Sequence, residues 1–426
     1  MAFPKFTALS ILVVGIAIFI APSIRLWTTV VGVFRQPSNT EVAKHDFLTI
    51  PDTIHCEDMH HHLPSGLIFA ACQDSNDHFT WYPPLVTFGD PVSAGQSRGS
   101  IHVIDPKSFT SKRLGFDNFD GPFVTHGIDI ISDPDAPNSV YILAVNHPPH
   151  PEYFKYIKDG NKPESYPKSL PKAASRIEIF HHVLGTATVK HIRSVSHPLI
   201  KTPNDILAVS PSTFYVTNDH YYTEGHLRFL ETAYWGAKWS TTVLVQVADL
   251  SAKEPASEVQ VTVAIRGLHN NNGLGRGKAA DEMLIGSASS GALRLAQLGQ
   301  NSSVQVVQTV QLDHCVDNPT FYRDSFPELN GDSSGYVMAG LSRGVDIEKT
   351  TGDTLATEPV MIWMVKPLGA TWEKTLLFED DGQRLRSGTT AILIGINPEL
   401  EEGKKKAWLF ATGFYSQSII AVRVSL

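Results

Sequence analysis

Beyond about residue 50, the sequence is a succession of short apolar or alternating runs, each closed by Gly, Pro, Asn or Asp. These runs include GLIFAACQD, SIHVIDP, SVYILAVNHP, RIEIFHHV, TTVLVQVAD, YVMAGLS, VMIWMVKP and SIIAVRVSL. Short, turn-bounded runs that are rich in β-branched residues predict β-strands. Segments with the 3.6-residue helical period are nearly absent, apart from LRFLETAYWGAKW at 227–239. The body of the chain is therefore predicted to be all-β.

The number and spacing of the runs favour a propeller. About two dozen short strands in ~375 residues fit a six-bladed β-propeller with roughly sixty residues in each blade. A large β-sandwich is the structural alternative, because no Trp-Asp repeat marks the blades. The Lys-, Pro- and Ser-rich stretch 156–175 is predicted to be an exposed insertion between strands. Residues 51–426 are predicted to form one domain.

The N-terminus carries a targeting signal. Lys5 is followed by nineteen uncharged residues, FTALSILVVGIAIFIAPSI, before Arg25. Such a run spans roughly 30 Å as a helix and can cross a bilayer. Only weak cleavage sites follow it, which favours an uncleaved signal anchor over a removed signal peptide. We therefore predict an anchor helix at 1–27 and a stalk at 28–50.

Charge and cysteine content restrict the partners. The chain has 35 Lys and Arg against 43 Asp and Glu, a formal net charge of −8, which argues against nucleic-acid binding. Three cysteines (Cys56, Cys72 and Cys315) allow one disulfide and leave one thiol over, and the absence of a CxxC motif argues against a thiolate metal site. The acceptor pattern at Asn301 fits a glycoprotein that is membrane-anchored or secreted.

Pairs of acid and amide residues stand at predicted strand ends. The pairs are Glu57-Asp58, Asn204-Asp205, Asn218-Asp219 and Asp317-Asn318, with HNNNG at 269–273. Carboxylate and carboxamide oxygens are the ligands that calcium prefers. Adjacent residues in a strand point to opposite faces, so one pair could serve two ions. The alternative is that each Asn or Asp only closes a turn.

The order of several motifs resembles the serum paraoxonase/arylesterase family. The motifs stand here as CEDMHHHLPSG, THGIDI, AVNHPPH, TPNDILAVSPSTFYVTNDHYY, NNNGL and CVDNPTF. The resemblance covers roughly residues 50–426 and is strongest over 120–240. It implies a six-bladed propeller with two calcium ions in a central tunnel, one catalytic and one structural.

The resemblance also implies the site residues by position. The implied ligands of the catalytic calcium are Glu57, Asn204, Asn272, Asp317 and Asn318, with Asn270 and Asn271 as neighbouring registers for Asn272. The implied ligands of the structural calcium are Asp58, Asp205 and the backbone carbonyl of Ile128. His126 and His147 correspond to a catalytic dyad, in which one imidazole deprotonates water and the second relays the proton. His220 is expected to line the pocket, and Asp219 to orient the second histidine.

Three features are interpreted as unrelated to this chemistry or as departures from the family. Consecutive histidines of an extended chain diverge, so His60–His62 are not expected to form a zinc site. GDSSG at 331–335 fits the G-x-S-x-G pattern but lacks a strand before and a helix after the serine. The family joins its first and last strands by a disulfide, whereas this chain ends in SIIAVRVSL without a cysteine, so its closure is predicted to be non-covalent.

Together, the residues and the resemblance predict a calcium-dependent hydrolase of lactones and aryl esters. Lactones are the favoured substrates, because lactonase activity is common to the family. The expected partners are a small-molecule lactone or ester and, through the N-terminal segment, a membrane. One rival is a non-catalytic, calcium-stabilised propeller that binds a partner, and a lyase or synthase of the strictosidine-synthase-like type is another.

Overall fold

The computed structural model describes residue 18 and residues 20–426. Twenty-seven strands form six sheets that follow one another along the chain, plus a small hairpin of β4 (Trp81–Tyr82) and β5 (Thr87–Phe88). Blade I consists of β2 (Cys56–His62), β3 (Leu67–Cys72), β6 (Ser100–Asp105) and β7 (Thr110–Arg113). Blade II consists of β9 (Thr125–Ser132), β10 (Ser139–Asn146), β11 (Arg176–Val183) and β12 (Thr188–Val195), with β8 (Gly115–Asp117) parallel to β12. Blade III consists of β13 (Pro203–Ser210), β14 (Thr213–Asn218), β15 (Ser240–Val247) and β16 (Val259–Leu268).

The second half of the chain repeats this arrangement. Blade IV consists of β17 (Asn271–Arg276), β18 (Glu282–Ser287), β19 (Ala292–Leu298) and β20 (Val304–Gln311). Blade V consists of β21 (Pro319–Tyr322), β22 (Gly335–Leu341), β23 (Val360–Leu368) and β24 (Thr371–Asp380). Blade VI consists of β25 (Gly388–Ile396), β26 (Lys406–Gly413), β27 (Ile419–Ser425) and β1 (Phe47–Ile50).

One edge strand of each blade lies nearest the central axis, and these six inner strands contact one another in a ring. In the ring, β2 contacts β9, β9 contacts β13, β13 contacts β17, β17 contacts β21, β21 contacts β25, and β25 contacts β2. The sheets are thus arranged as a closed ring of six, not as two stacked layers. The predicted six-bladed β-propeller is confirmed, and the sandwich alternative is excluded.

Six apolar clusters lie between the blades, one at each interface. In β10, Ile142 packs with Phe69 of blade I, whereas Leu143 packs with Phe214 of blade III. Side chains alternate between the two faces of a strand, so a blade that is covered on both sides is apolar at consecutive positions. This double burial explains why runs such as SVYILAVN are nearly continuously hydrophobic.

Hydrogen bonds alone close the ring between the first and last strands. β1 pairs antiparallel with β27, with Phe47 opposite Val422 and Ile50 opposite Ile419. The one disulfide joins Cys56 to Cys72 within blade I, and Cys315 is a buried free thiol. The predicted non-covalent closure is therefore confirmed.

The N-terminal region packs on blade V. Residues 20–30 are helical, Val30 and Val31 are buried, and the Val31 carbonyl accepts a hydrogen bond from Val345 N. Within residue 18 and residues 20–426, no helix has the length and apolar character that a membrane span requires. Residues 1–17 and 19, which make up most of the predicted anchor, lie outside the described residues.

The helices lie in loops between strands. Apart from the N-terminal helical residues 20–30, the α-helices of the described residues are Pro91–Ala94, Pro151–Lys158, His226–Ala233 and Ile347–Thr350. The short 3₁₀ helices are Lys44–Asp46, Asn76–Phe79, Pro83–Leu85, Pro163–Ser165, Gln300–Ser302, Gly344–Asp346 and Pro398–Glu401. The helix predicted at 227–239 ends early because the backbone of Tyr234 is already extended. In GDSSG, residues 331–334 form a loop and Gly335 begins β22, so this motif is not a nucleophile elbow.

Candidate metal centre and histidine dyad

Polar residues cluster where the inner strands begin. Glu57, His126, Asn204 and Asn272 are each the second residue of their strand, and Asn318 directly precedes β21. Because these strands surround one axis, their first residues meet at the same end of the tunnel. Asp58 and Asp205 lie one residue further along β2 and β13. The two residues of each pair therefore stand at two successive levels along the axis.

We call the level of Glu57, Asn204 and Asn318 the upper level and that of Asp58 and Asp205 the lower level. The upper level contains an unusual group of buried oxygens. The side-chain oxygens without a hydrogen-bond partner there are Glu57 Oε2, Asn204 Oδ1, Asn272 Oδ1, Asp317 Oδ1 and Asn318 Oδ1. An unpaired buried polar atom costs about 1–3 kcal/mol, so five in one place require a ligand. Asn318 Nδ2 donates to Glu57 Oε1 (3.1 Å) and to Thr390 Oγ1 (2.9 Å), which orients the free Asn318 oxygen.

The same criterion excludes one of the three asparagines of HNNNG as a ligand and leaves two. Asn270 Oδ1 accepts hydrogen bonds from Ser289 N and Oγ, so it is not free to bind a cation. The Oδ1 atoms of both Asn271 and Asn272 lack partners. Asn218, in contrast, has its amide fully engaged by Lys201 N, Thr202 N, Leu199 O and Thr241 Oγ1, and so it closes a turn.

Two glycines let the inner strands approach each other at this level. A Cβ on Gly127 would lie 2.4 Å from the Asn204 carbonyl oxygen and 2.5 Å from Asp205 Oδ1. A Cβ on Gly273 would lie 2.2 Å from Asn318 Oδ1. Real Cβ atoms do not approach other atoms so closely, so only glycine allows the ligand oxygens to converge.

The lower level is a buried carboxylate pair with an adjacent histidine. Ligand atoms of Asp58, His60 and Asp205 all lie within 4.8 Å of one another. Asp58 already accepts hydrogen bonds from Ile128 N (3.0 Å), Met59 N (2.8 Å) and Thr390 Oγ1 (2.8 Å), and His60 Nε2 lies 3.1 Å from its Oδ2. His60 therefore belongs to this site, which the diverging directions of consecutive histidines did not predict.

Burial and mutual repulsion act on the carboxylates of both levels. Burial, and then neighbouring carboxylates, raise the pKa of Glu57, Asp205 and Asp317 well above the usual range. Burial lowers the pKa of His60, but the charges of Asp58, Asp129 and Asp205 outweigh it, so the pKa rises to about 9. A cluster of this kind is stabilised by a cation.

The donor set fits calcium at the upper level. Its five unpartnered atoms are all carboxylate or carboxamide oxygens, from three strands and the loop before β21, and they include neither sulfur nor imidazole nitrogen. Calcium accepts six to eight oxygen ligands in flexible geometry. At the lower level the carboxylates already accept hydrogen bonds, so the excess of negative charge is what favours a cation there.

The two predicted catalytic histidines form a hydrogen-bonded chain beside the upper level. His126 Nδ1 lies 3.0 Å from His147 Nε2, and His147 Nδ1 lies 2.8 Å from Ser175 Oγ. Asn204 Nδ2 lies 3.4 Å from His126 Nε2. An amide nitrogen can only donate, so His126 Nε2 is the acceptor and Nδ1 carries the proton that points to His147. His126 Nε2 is also 3.9 Å from Glu57 Oε1.

Burial keeps both imidazoles neutral. Burial, only partly offset by Asp219, lowers the pKa of His126 to about 4. Burial and the neighbouring His126 lower the pKa of His147 well below its usual value. A neutral imidazole with a free nitrogen lone pair can accept a proton at pH 7.

Sequence comparisons find known proteins that this chain resembles over part of its length. The sequence model of the Arylesterase family matches residues 156–325. Serum paraoxonase/arylesterase 2 of Gallus gallus is 28% identical over 265 residues, which cover 60% of each chain. The human serum paraoxonase/arylesterase 2 is 28% identical over 257 residues, also 60% of each chain. The human serum paraoxonase/arylesterase 1 is 31% identical over 186 residues, 42% of each chain.

The chain is thus similar to the serum paraoxonases/arylesterases over about 60% of its length. The resemblance predicted from the motifs is thereby confirmed. The chain spans about 60% of the length of the curated paraoxonases/arylesterases that it matches first.

Beside the histidine dyad lies a small cavity of about 40 Å³. His147, Ser175 and Asp219 line it, together with the charged side chains of Lys172 and Arg228. Asp219 Oδ2 lies 3.0 Å from His220 Nδ1 and 3.5 Å from Arg228 Nη2. Asp219 therefore faces the predicted substrate side and is held by the His220 imidazole and the Arg228 guanidinium. A larger cavity of about 350 Å³ lies at the opposite end of the inner strands, lined by His60–Pro64 and Arg276.

His220 lies on the other side of Asp219. Its Nε2 is 2.9 Å from Thr232 Oγ1 of the helix His226–Ala233, and His220 is not among the described residues that line the small cavity. His220 therefore contacts Asp219, which lines the small cavity. Its role as a pocket residue remains a prediction.

Glu178 is a supporting residue that sequence analysis missed. Asn146, which precedes His147, donates from Nδ2 to Glu178 Oε1 (2.8 Å) and accepts from Val124 N (2.9 Å). Arg176 and His191 also contact the Glu178 carboxylate, at 2.6 and 3.0 Å. A lone glutamate in the run RIEIF gives no sequence signal, because Asn146 and His191 reach it from the two neighbouring strands.

Replacing Glu178 with glutamine is expected to cost stability mainly above pH 5. Burial raises its pKa, but His191, Arg176 and Ser194 outweigh this and lower the pKa from 4.5 to about 2. The folded pKa is below the unfolded one, so the contribution is full above the unfolded pKa and disappears as the pH falls towards 2. At 1.36 kcal/mol per pKa unit it amounts to about 3 kcal/mol. Urea unfolding of both proteins at pH 7 and pH 3 measures it, and an equal difference at both pH values would contradict this assignment.

Proposed function

We propose that the chain is a calcium-dependent hydrolase of lactones and aryl esters. The observation that carries this proposal is the juxtaposition of five unpartnered buried oxygens with the neutral His126–His147 pair. A cation site without a base, or a histidine pair without a cation site, would favour a structural role. The named relatives, which are serum paraoxonases/arylesterases, support the same class of reaction.

Two sets of residues hold calcium in this proposal. Glu57, Asn204, Asn272, Asp317 and Asn318 hold the catalytic ion, and Asp58, Asp205 and the Ile128 carbonyl hold the structural ion. Calcium, when bound, supplies a Lewis acid that polarises the ester carbonyl. The side chains position the substrate at this end of the tunnel, where the carbonyl lies close to His126.

The dyad moves the proton. His126 Nε2 takes a proton from the attacking water while its Nδ1 proton passes to His147 Nε2, 3.0 Å away. The protonated His147 keeps its Nδ1 hydrogen bond to Ser175 Oγ and returns the proton through His126 to the leaving alkoxide. Asn204 holds the His126 ring in the tautomer with an unprotonated Nε2, and the attacking water takes the place of the long Asn204 contact (3.4 Å) at that nitrogen.

Within the ester class, we propose lactones as the principal substrates, in line with the family's common activity. We also propose that the protein works in the secretory pathway, anchored by its N-terminal segment or secreted. A disulfide inside blade I supports an oxidising compartment.

The purified full chain is expected to hydrolyse at least one member of a panel of lactones and phenyl acetate in calcium. Activity is expected to fall to background after chelation and to return when calcium is added, while magnesium, which demands octahedral geometry, does not restore it. Calorimetry on the same samples reports whether the protein stays folded. A folded, calcium-loaded protein that hydrolyses none of the panel would contradict the proposal and favour a partner-binding propeller.

A further inference from the structure

Blade I contains a second group of metal-type ligands, away from the tunnel. Ligand atoms of Cys72, Asp74 and His102 lie within 4.8 Å of one another. Strand register causes this: β3 pairs with β6 so that Ala70 faces His102 and Cys72 faces Ser100. His102 is therefore two residues from the partner of Cys72 and points to the same face of the sheet. Asp74 follows two residues after Cys72 in the turn that leaves β3.

Two ligand atoms of this group are buried and lack hydrogen bonds. They are His102 Nε2 and Asp74 Oδ1, which lie 3.5 Å apart. His102 is fully buried, and the side chain of Asp74 is 8% exposed. The two atoms face each other at a distance longer than an ordinary hydrogen bond, and a cation between them would satisfy both.

The remaining atoms of both side chains are fixed by neighbours. His102 Nδ1 lies 2.7 Å from Ser111 Oγ, and Asp74 Oδ2 accepts a hydrogen bond from Arg113 Nη1 at 2.6 Å. A histidine that ligates a metal through one nitrogen usually donates from the other to an oxygen acceptor. Ser111 provides that acceptor, so the imidazole is already oriented with Nε2 towards Asp74.

The third ligand of the group, Cys72, is blocked by a disulfide bond. Cys72 is joined to Cys56, its cross-strand partner in β2, by a disulfide. A metal is bound by the thiolate, and a disulfide sulfur carries no such charge. The group is thus one bond cleavage away from a thiolate, an imidazole and a carboxylate in one buried place.

We propose that reduction of the Cys56–Cys72 disulfide opens a zinc-type site formed by Cys72 Sγ, Asp74 Oδ1 and His102 Nε2. Zinc binds this combination of sulfur, nitrogen and oxygen ligands, whereas calcium requires oxygen ligands throughout. Three protein ligands leave a fourth position for water. The site is chemically distinct from the tunnel centre and does not depend on the proposed hydrolase activity.

The redox step is a thiol–disulfide exchange with a dithiol reductant. One thiolate of the reductant attacks a disulfide sulfur, and its second thiol then displaces the mixed disulfide. The S–S bond of the protein breaks, an S–S bond forms in the reductant, and the two protons of the reductant end on Cys56 and Cys72. Zinc binding then displaces the proton from Cys72.

Cobalt(II) titration of the calcium-loaded full chain tests the site, because a cobalt–thiolate bond gives a near-ultraviolet charge-transfer band that oxygen ligands do not. All proteins carry Cys315→Ser, which removes the buried free thiol. The additional variant Cys56→Ser frees Cys72 without a reductant. It is expected to bind one cobalt with a charge-transfer band that zinc abolishes, whereas the oxidised parent shows none.

Reduction of the parent with a phosphine, which binds cobalt weakly, is expected to produce the same charge-transfer band. This experiment tests the site even if Cys56→Ser does not fold. Adding Cys72→Ser is expected to abolish the band, and adding His102→Gln is expected to shift it and to weaken binding at least tenfold. Circular dichroism verifies folding in each sample. No band in folded, reduced protein, or a band that survives Cys72→Ser, would overturn the proposal.

Discussion

The variant His126→Gln is expected to hydrolyse lactones roughly 10²- to 10⁴-fold more slowly than the parent, the usual contribution of a general base. Glutamine has no lone pair on nitrogen that can take a proton at pH 7. It can still hydrogen-bond to His147, so the local structure should persist. The measurement is kcat/KM for the best lactone, with calcium affinity determined in parallel. The loss should appear in kcat, because the ligand oxygens are untouched.

A matched control for this variant is His182→Gln. His182 is equally buried in blade II, but its Nδ1 only contacts the Thr188 carbonyl at 2.8 Å. This control should keep the activity of the parent. If His126→Gln also keeps that activity, another group activates the water and the dyad assignment fails.

The variant Asp317→Asn is expected to change stability in opposite directions with and without calcium. In calcium-free protein it removes one of several buried negative charges, so the free energy of unfolding should rise by about 1–3 kcal/mol. With calcium present, the substitution removes a charged ligand. The calcium affinity should then fall by at least 10- to 100-fold, roughly the loss seen when a residue that only hydrogen-bonds to a metal ligand is replaced. A 100-fold loss of affinity reduces calcium-dependent stabilisation by up to about 2.7 kcal/mol.

Thermal unfolding at several calcium concentrations measures both effects. Asp281→Asn is the matched control, because Asp281 is exposed at the edge of blade IV and contacts only Gln297 at 3.2 Å among the described side chains. The control should follow the parent at every calcium concentration. An Asp317→Asn protein that is less stable without calcium, and equally stabilised by it, would contradict the cation site.

The fold was predictable because blade strands leave a local signal. Runs such as SVYILAVN and VMIWMVKP are apolar on both faces, and their lengths match single strands bounded by turns. The number of blades was not fixed by that signal. Six blades follow only from which sheets pack against each other, a long-range property that is settled by the apolar clusters between neighbouring blades.

The site was predictable only in part. Adjacent acid and amide residues at predicted strand ends indicated that one pair could serve two ions, and the structure brings Glu57, Asn204 and Asn318 to one end of the axis. His60 was dismissed, although it lies 3.1 Å from Asp58. The argument from diverging histidines was correct for three side chains together, but it said nothing about a single one of them.

The sequence by itself determined the all-β class and the paired ligand pattern, because each is encoded within a few consecutive residues. The assignment of His126 and His147 came from the resemblance to the family. Only the tertiary structure decided which buried oxygens lack partners, how Glu178 supports the segment before His147, and that Cys72, Asp74 and His102 meet. Those facts depend on the register between strands and on contacts between blades. Residues that share neither a strand nor a turn are brought together only when the ring closes.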